Sequence, residues 1–292
     1  MAAANGGYYI PHGTKWPIMG SIGLFTLLGG FAMLLNGSAS ASWIMVVGAV
    51  IVVAMMIGWF GTVIGESESG TYNAQVDLSF RQGMLWFIFS EVLFFAAFFG
   101  ALFYARVLAV PWLGGDGIGE ATNSLLWSGF ESEWPTNGPG EIGGDAEGNF
   151  QIIGWGGLPL LNTALLLTSS VTITIAHHAL KNNNRRLLNI GTLLTIILGA
   201  VFLYVQAYEY VHAYQDLDLR LSTGIYGSTF FMLTGFHGAH VTLGVIMLIV
   251  TYIRILRGHF TPNEHFGFQA VSWYWHFVDV VWVCLFIFVY VL

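Results

Sequence analysis

The chain has 292 residues, 55% of them hydrophobic and 9% charged, with a mean hydropathy of +0.69. A soluble domain is roughly a quarter charged, so this composition excludes an ordinary water-soluble fold and points to a chain that lives in a bilayer. Nine Lys and Arg against 16 Asp and Glu leave a formal charge of −7, and no basic run follows an aromatic groove, which argues against nucleic acid as a partner.

The opening MAAANGGYYIPHGTKWPIMG lacks the basic start and small-residue cleavage site of a secretory signal, so residues 1–16 are read as a short retained tail. A membrane span needs about 20 predominantly apolar residues. Seven stretches meet that length, at 17–35, 43–64, 84–107, 158–180, 187–211, 226–255 and 268–292. With no water in the hydrocarbon, each must satisfy its own backbone as a helix. The expected fold is therefore all-α, a polytopic membrane protein in one domain spanning residues 1–292.

Lys and Arg favour the cytoplasmic side. Lys15, Arg81, Lys181, Arg185, Arg186, Arg254 and Arg257 all fall on one side of the alternating spans, while the other side holds Arg106 and Arg220. That other side also carries the loop 108–157, with Asp116, Glu120, Glu131, Glu133, Glu141, Asp145 and Glu147 and, past Arg106, no further Lys or Arg. The bias predicts a cytoplasmic N-terminus and a C-terminus outside. The loop reads as a solvated surface excursion, with docking of a positively charged partner as the alternative. Cys284 is a lone cysteine inside a span, so the chain forms no internal disulfide and offers no paired-thiolate metal site.

Ionisable groups inside spans are functional candidates and each needs a partner. Here they are Glu91 in the third span, Glu209 and His212 ending the fifth, His237 and His240 in the sixth, and His276 and Asp279 in the seventh. With about 1.5 Å of rise per residue, Glu91, His240, His276 and Asp279 fall in the cytoplasmic half. Glu209 and His212 fall near the outer end, and His177 and His178 at the cytoplasmic end of the fourth span. Two readings compete for the inner group. Imidazole with carboxylate suits iron, copper or zinc, which would make the chain an independent membrane metalloenzyme using Glu91, His240, His276 and Asp279. The other reading is a hydrogen-bonded network that locks helices together. Glu209 and His212 copy the Glu-x-x-His spacing of di-iron bundles, but only one copy is present. A solute transporter ranks last, because no internal repeat is visible.

The segments SEVLFFAAFFGALFY, PLLNTALLLTSSVTITIAHHAL, YGSTFFMLTGFHGAHVTLG and HFTPNEHFGFQAVSWYWHFVDVVW closely resemble subunit III of haem–copper cytochrome c oxidase, from about Trp59 onward apart from the outer loop. The resemblance implies seven helices arranged as a two-helix and a five-helix bundle separated by a V-shaped cleft filled with phospholipid. It implies a subunit with no catalytic residue, metal or other cofactor of its own, whose haem and copper lie in partner subunits. Its partners would be oxidase subunit I as the main contact, subunit II, small accessory subunits, membrane phospholipids and, indirectly, cytochrome c. Its role would be to stabilise subunit I, bind structural phospholipid, and support proton uptake or oxygen access during reduction of O₂ to water with proton translocation.

Carried onto this sequence, lipid head-group contacts fall to Trp59, Glu66, Arg254, Arg257, His259 and Phe260. Glu91 matches the family's carbodiimide-reactive intramembrane carboxyl, and Glu91, His237, His240, His276 and Asp279 form its expected buried polar network. Tyr72 and Asn73 stand where mitochondrial members offer histidines, and the outer loop is longer than theirs. Those departures favour a bacterial form, in the cell's inner (plasma) membrane.

Overall fold

The computed structural model describes residues 13–292; the expected tail at 1–16 lies for the most part outside them. Among the described residues no strand occurs, and seven helices are long and apolar enough to cross a membrane. The chain divides into two compact units, one ending at Gln82 and the other running from Gly83 to Leu292.

In the first unit, α1 (Trp16–Leu35) and α2 (Ala41–Glu68) form a hairpin. Lipid offers no hydrophobic drive for helix association, so such pairs rely on close backbone approach through small residues. Gly20, Gly23 and Gly30 of α1 and Ala41 and Gly48 of α2 are the buried positions here. A side chain at Gly48 would bring its Cβ to 2.4 Å from the Leu27 nitrogen, so nothing larger than glycine permits this contact. The outward residues, such as Phe25, Trp43 and Ile57, are exposed apolar side chains suited to acyl chains.

Helix α3 (Ala74–Phe103) begins in the first unit and continues through a π-helical turn (Tyr104–Ala109) into α4 (Val110–Leu113). It starts well ahead of the apolar run at Met84, because AQVDLSFRQ is polar enough to sit at a head-group level yet still helical. Asp77 and Arg81 close an i,i+4 pair there at 2.7 Å.

The second unit packs α6 (Leu158–Lys181), α7 (Arg185–Asp216), α8 (Gly224–Leu256) and α9 (Phe266–Leu285, continued by a π-helical turn Phe286–Val291). Pro159 opens α6 where no intrahelical donor is needed. The Asn184 side chain caps α7 by accepting from the Leu187 N–H at 3.1 Å. Helix α9 is the most enclosed, with Tyr274, Trp275, Val278, Trp282 and Leu285 at most 2% exposed. Trp275 donates Nε1–H to Ser169 Oγ at 2.8 Å and Trp282 to Thr163 Oγ1 at 3.0 Å, so α6 receives both indoles. Glycines at 199 and 244 make room for Trp275: a Cβ at either would lie under 3 Å from its ring.

The outer segment is not free-standing. After a short 3₁₀ turn (Gly117–Gly119) and α5 (Glu120–Leu126), it docks on the α7–α8 connection. The Tyr226 N–H donates to Thr136 O, the Gln151 N–H donates to Leu217 O, and the rings of Trp134 and Phe150 pack on Tyr226. Asp145 closes a turn by accepting the N–H groups of Asn149 and Glu147, which hold its carboxyl below the ordinary value. Glu131, Glu133, Glu141 and Glu147 line an open hollow of about 680 Å³.

Candidate functional site

The intramembrane groups of the second unit separate into distinct pairs. Glu91 on α3 and His240 on α8, 149 positions apart, meet at 2.9 Å between Oε2 and Nε2. His240 Nδ1 lies 2.7 Å from Phe236 O. A carbonyl only accepts, so Nδ1 carries a hydrogen. The Glu91–Nε2 contact then holds one proton, either on the ring beside a carboxylate or on the carboxyl beside a neutral ring. Both forms leave the pair with no net charge, which suits a wall of Phe94, Phe95 and Phe236 far better than an isolated ion would.

His237, one helical turn before His240, points elsewhere. It is fully buried against Phe202 and Trp282, and its Nε2 lies 3.0 Å from Val278 O, so Nε2–H donates and Nδ1 is left without a partner. It ties α8 to α9 and does not join the Glu91 pair.

His276, on α9, bonds to two side chains of α6. The Thr174 hydroxyl donates to Ser170 O at 2.8 Å, so its oxygen accepts Nε2–H of His276 at 3.3 Å. Nδ1 is then the acceptor for the Ser170 hydroxyl, at 2.7 Å. Asp279 Oδ2 lies 3.8 Å from Nδ1, beyond hydrogen-bonding distance, and neither carboxylate oxygen has a partner. The helical spacing of His276 and Asp279 was visible in the sequence; the serine and threonine that engage the ring were not.

Near the other end of the unit, Glu209 is fully buried and accepts from the Tyr290 hydroxyl at 2.6 Å and from Gln206 Nε2 at 3.1 Å, both on Oε1. Asn162 extends the cluster by donating to Gln206 Oε1 at 3.4 Å. His212 faces away and pairs with Asp216 at 2.7 Å on an exposed surface. The Glu-x-x-His spacing therefore does not place its two ends at one site. Gln206 and Asn162, amides within apolar spans, were the available signal for this cluster.

Among the described residues no three His, Cys, Asp or Glu side chains converge as a metal site would require. The four residues of the metalloenzyme reading divide instead into the Glu91–His240 and His276–Asp279 pairs.

The expected lipid contacts lie on both units. In the first, Trp59 is exposed and Glu66 Oε2 accepts the Tyr72 hydroxyl at 2.7 Å, so the tyrosine at that departure engages the carboxylate. In the second, Arg254 stands 4.4 Å over the Phe260 ring and Arg257 caps α8 in an exposed position. Phe260 itself is 2% exposed, and its carbonyl accepts from Arg185 Nη2 at 2.5 Å. The ring thus supports the guanidinium from below. His177, half-buried against the rings of His265 and Phe268, packs this same end of the unit, while His178 is exposed.

Seven membrane-length helices, buried polar pairs between them and no strand among the described residues define a polytopic helical membrane protein. The sequence model of the family described as "Cytochrome c oxidase subunit III" matches residues 7–118 and 125–292. The chain is similar to "Cytochrome c oxidase subunit 3" of Papio hamadryas, 39% identical over 289 residues, covering 97% of this chain and 96% of that protein. The proteins of the same name from Anopheles gambiae and Drosophila melanogaster are each 38% identical over 288 residues, covering 98% of this chain and 97% of theirs. The chain belongs to the cytochrome c oxidase subunit III family.

Proposed function

We propose that this chain is the non-redox subunit III of a proton-translocating cytochrome c oxidase, seated beside subunit I and in contact with subunit II and small accessory subunits. It stabilises subunit I, holds structural phospholipid and supports proton uptake or oxygen access. Haem and copper belong to the partner subunits, and cytochrome c meets the complex elsewhere. The observation that carries this reading is the match along nearly the whole chain to a family of that description. The closed Glu91–His240 pair supports it: both groups are spent on each other and on Phe236 O, as a structural or proton-holding pair would be. On this reading Glu91 is the carboxyl that carbodiimides modify. The excess of Lys and Arg on one side supports a cytoplasmic N-terminus and a periplasmic C-terminus in a bacterial plasma membrane.

Purification through a tag on this chain in mild detergent, followed by visible spectroscopy and metal analysis, tests the proposal. Reduced haem bands and copper should accompany a large complex and be absent from the chain once it is separated. A stoichiometric metal that stays with the isolated chain would instead favour the metalloenzyme reading.

The same preparation tests the lipid site. Arg254 and Arg257 offer guanidinium forks at the end of α8, suited to the phosphate of a head group, and His259 and Phe260 follow them in the chain; Trp59 and Glu66 are the lipid contacts proposed for the first unit. Arg254→Ala combined with Arg257→Ala should lose co-purified phospholipid, measured per haem by phosphate analysis, before haem content changes. A full lipid complement in the double variant would remove the arginines from the site.

A further inference from the structure

Where α6, α7 and the π-helical end of α9 meet, the second unit encloses a carboxyl that no cation answers. Glu209 is fully buried, and both of its hydrogen bonds, from the Tyr290 hydroxyl and from Gln206 Nε2, fall on Oε1. Oε2 has no partner, and Asn162 Oδ1, fully buried in the same cluster, is likewise an acceptor without a donor. The cluster is short of a donor and not of an acceptor. Its titratable neighbours bring no positive charge: Tyr290 comes from the end of α9, Tyr226 from α8, and Tyr210 of α7 is engaged with Thr234 at 2.6 Å. His212, on the same helix as Glu209, turns outward to Asp216. Aromatic rings close the cluster toward the outer segment. Trp134 and Phe150 pack on Tyr226, whose ring stacks on Phe230 at 6.1 Å between centroids, and Phe230 meets Tyr290 at 5.5 Å.

We propose that Glu209 is a proton-binding site: in the folded protein it is a neutral carboxylic acid with its hydrogen on Oε2, and the docked outer segment shields it from water. An ionised carboxylate without a cation, so deeply buried, is costly enough that the group holds a proton instead. The neutral acid fits the inventory of the cluster. Its carbonyl oxygen keeps two lone pairs for Tyr290 and Gln206, and its hydroxyl adds the donor that is missing. Both unmet oxygens are enclosed by protein, so a water would need room that a proton does not. Tyr290 reaches the site from a π-helical turn, a distortion frequent at functional positions in helices. The site differs from Glu91–His240, where an imidazole shares the proton. It is built from residues of this chain alone and does not depend on which complex carries the chain.

Infrared spectroscopy of the intact purified complex at neutral pH tests the assignment, because a protonated carboxyl has a carbonyl stretch above the amide bands, clear of carboxylates. The parent minus Glu209→Gln difference spectrum should contain one such band. In Tyr290→Phe the band should persist and move to higher frequency, since the carbonyl oxygen loses the phenol hydrogen bond; that shift identifies Glu209 even where Glu209→Gln assembles poorly. In D₂O the band should exchange slowly in the parent and several-fold faster in Trp134→Ala. Loss of carboxylate bands in Glu209→Gln with none lost in the acid region, or an acid region unmoved by Tyr290→Phe, would mean that Glu209 is ionised and would overturn the inference. Equal exchange rates in the parent and Trp134→Ala would overturn the shielding by the outer segment.

Discussion

Replacement of Trp275 by alanine is expected to destabilise the second unit by about 3–5 kcal/mol, the range for deleting a large buried aromatic. The indole is completely buried in α9, between glycines of α7 and α8 and the serine of α6. Its removal leaves a void where four helices converge, and in a bilayer packing contacts supply much of the association energy that the hydrophobic effect supplies in water. The Trp275→Phe variant separates shape from polarity. It keeps most of the ring and loses the Nε1 bond, but the Ser169 hydroxyl still donates to Leu166 O at 2.7 Å, so no group is orphaned. Its cost should be about 1 kcal/mol. Gly244→Leu approaches the same contact from the other side, because its Cβ alone would lie 2.9 Å from the indole; it should behave like the alanine variant. Dodecyl sulfate titration of the purified chain, followed by loss of helicity, measures all three. Equal midpoints for Trp275→Ala and Trp275→Phe would show that packing around this ring is not what holds the helices.

Replacement of Glu209 by leucine should cost nearly as much, for a different reason. Its Oε1 is the shared acceptor for the Tyr290 hydroxyl and Gln206 Nε2. Leucine fills the space but strands both donors inside the bundle, at about 1–3 kcal/mol each. Glu209→Gln keeps a carbonyl for the two donors and places an amide where Oε2 already lacks a partner. It should lie much closer to the parent in the same titration. Tyr290→Phe removes one donor without orphaning the acceptor, which retains Gln206, and should be the mildest of the three. Were leucine and glutamine to destabilise equally, the hydrogen bonds to Oε1 would not be the source of the effect.

These two sites show where local information ends. Glu209 was legible as a carboxylate inside a span, and its depth kept it apart from Glu91, as the structure also has it. Tyr290 was not legible as its partner, because the two are 81 positions apart and only the packing of α9 against α7 joins them. The adjacent imidazoles of α8 show the same limit. His237 and His240 sit three residues apart with similar neighbours, yet one bonds a backbone carbonyl of α9 and the other a carboxylate of α3. The helix period places them on related faces, but the neighbour each face meets is a property of the bundle. Helix ends follow a similar division: α2 and α3 extend past their apolar runs, because a helix does not stop where hydropathy does.

The sequence alone determined the seven helices and the residues that had to find partners within them. A bilayer accepts only self-satisfied apolar segments of about 20 residues, and it makes any ionisable group among them conspicuous. The tertiary structure decided which polar group answers which. It separated Glu91–His240 from His276–Asp279, gave Glu209 to Tyr290, and tied the outer acidic segment to the α7–α8 connection. Those pairings depend on contacts between residues far apart in the chain, set by how small residues and two buried indoles let the helices approach, and no periodicity along a single helix encodes them.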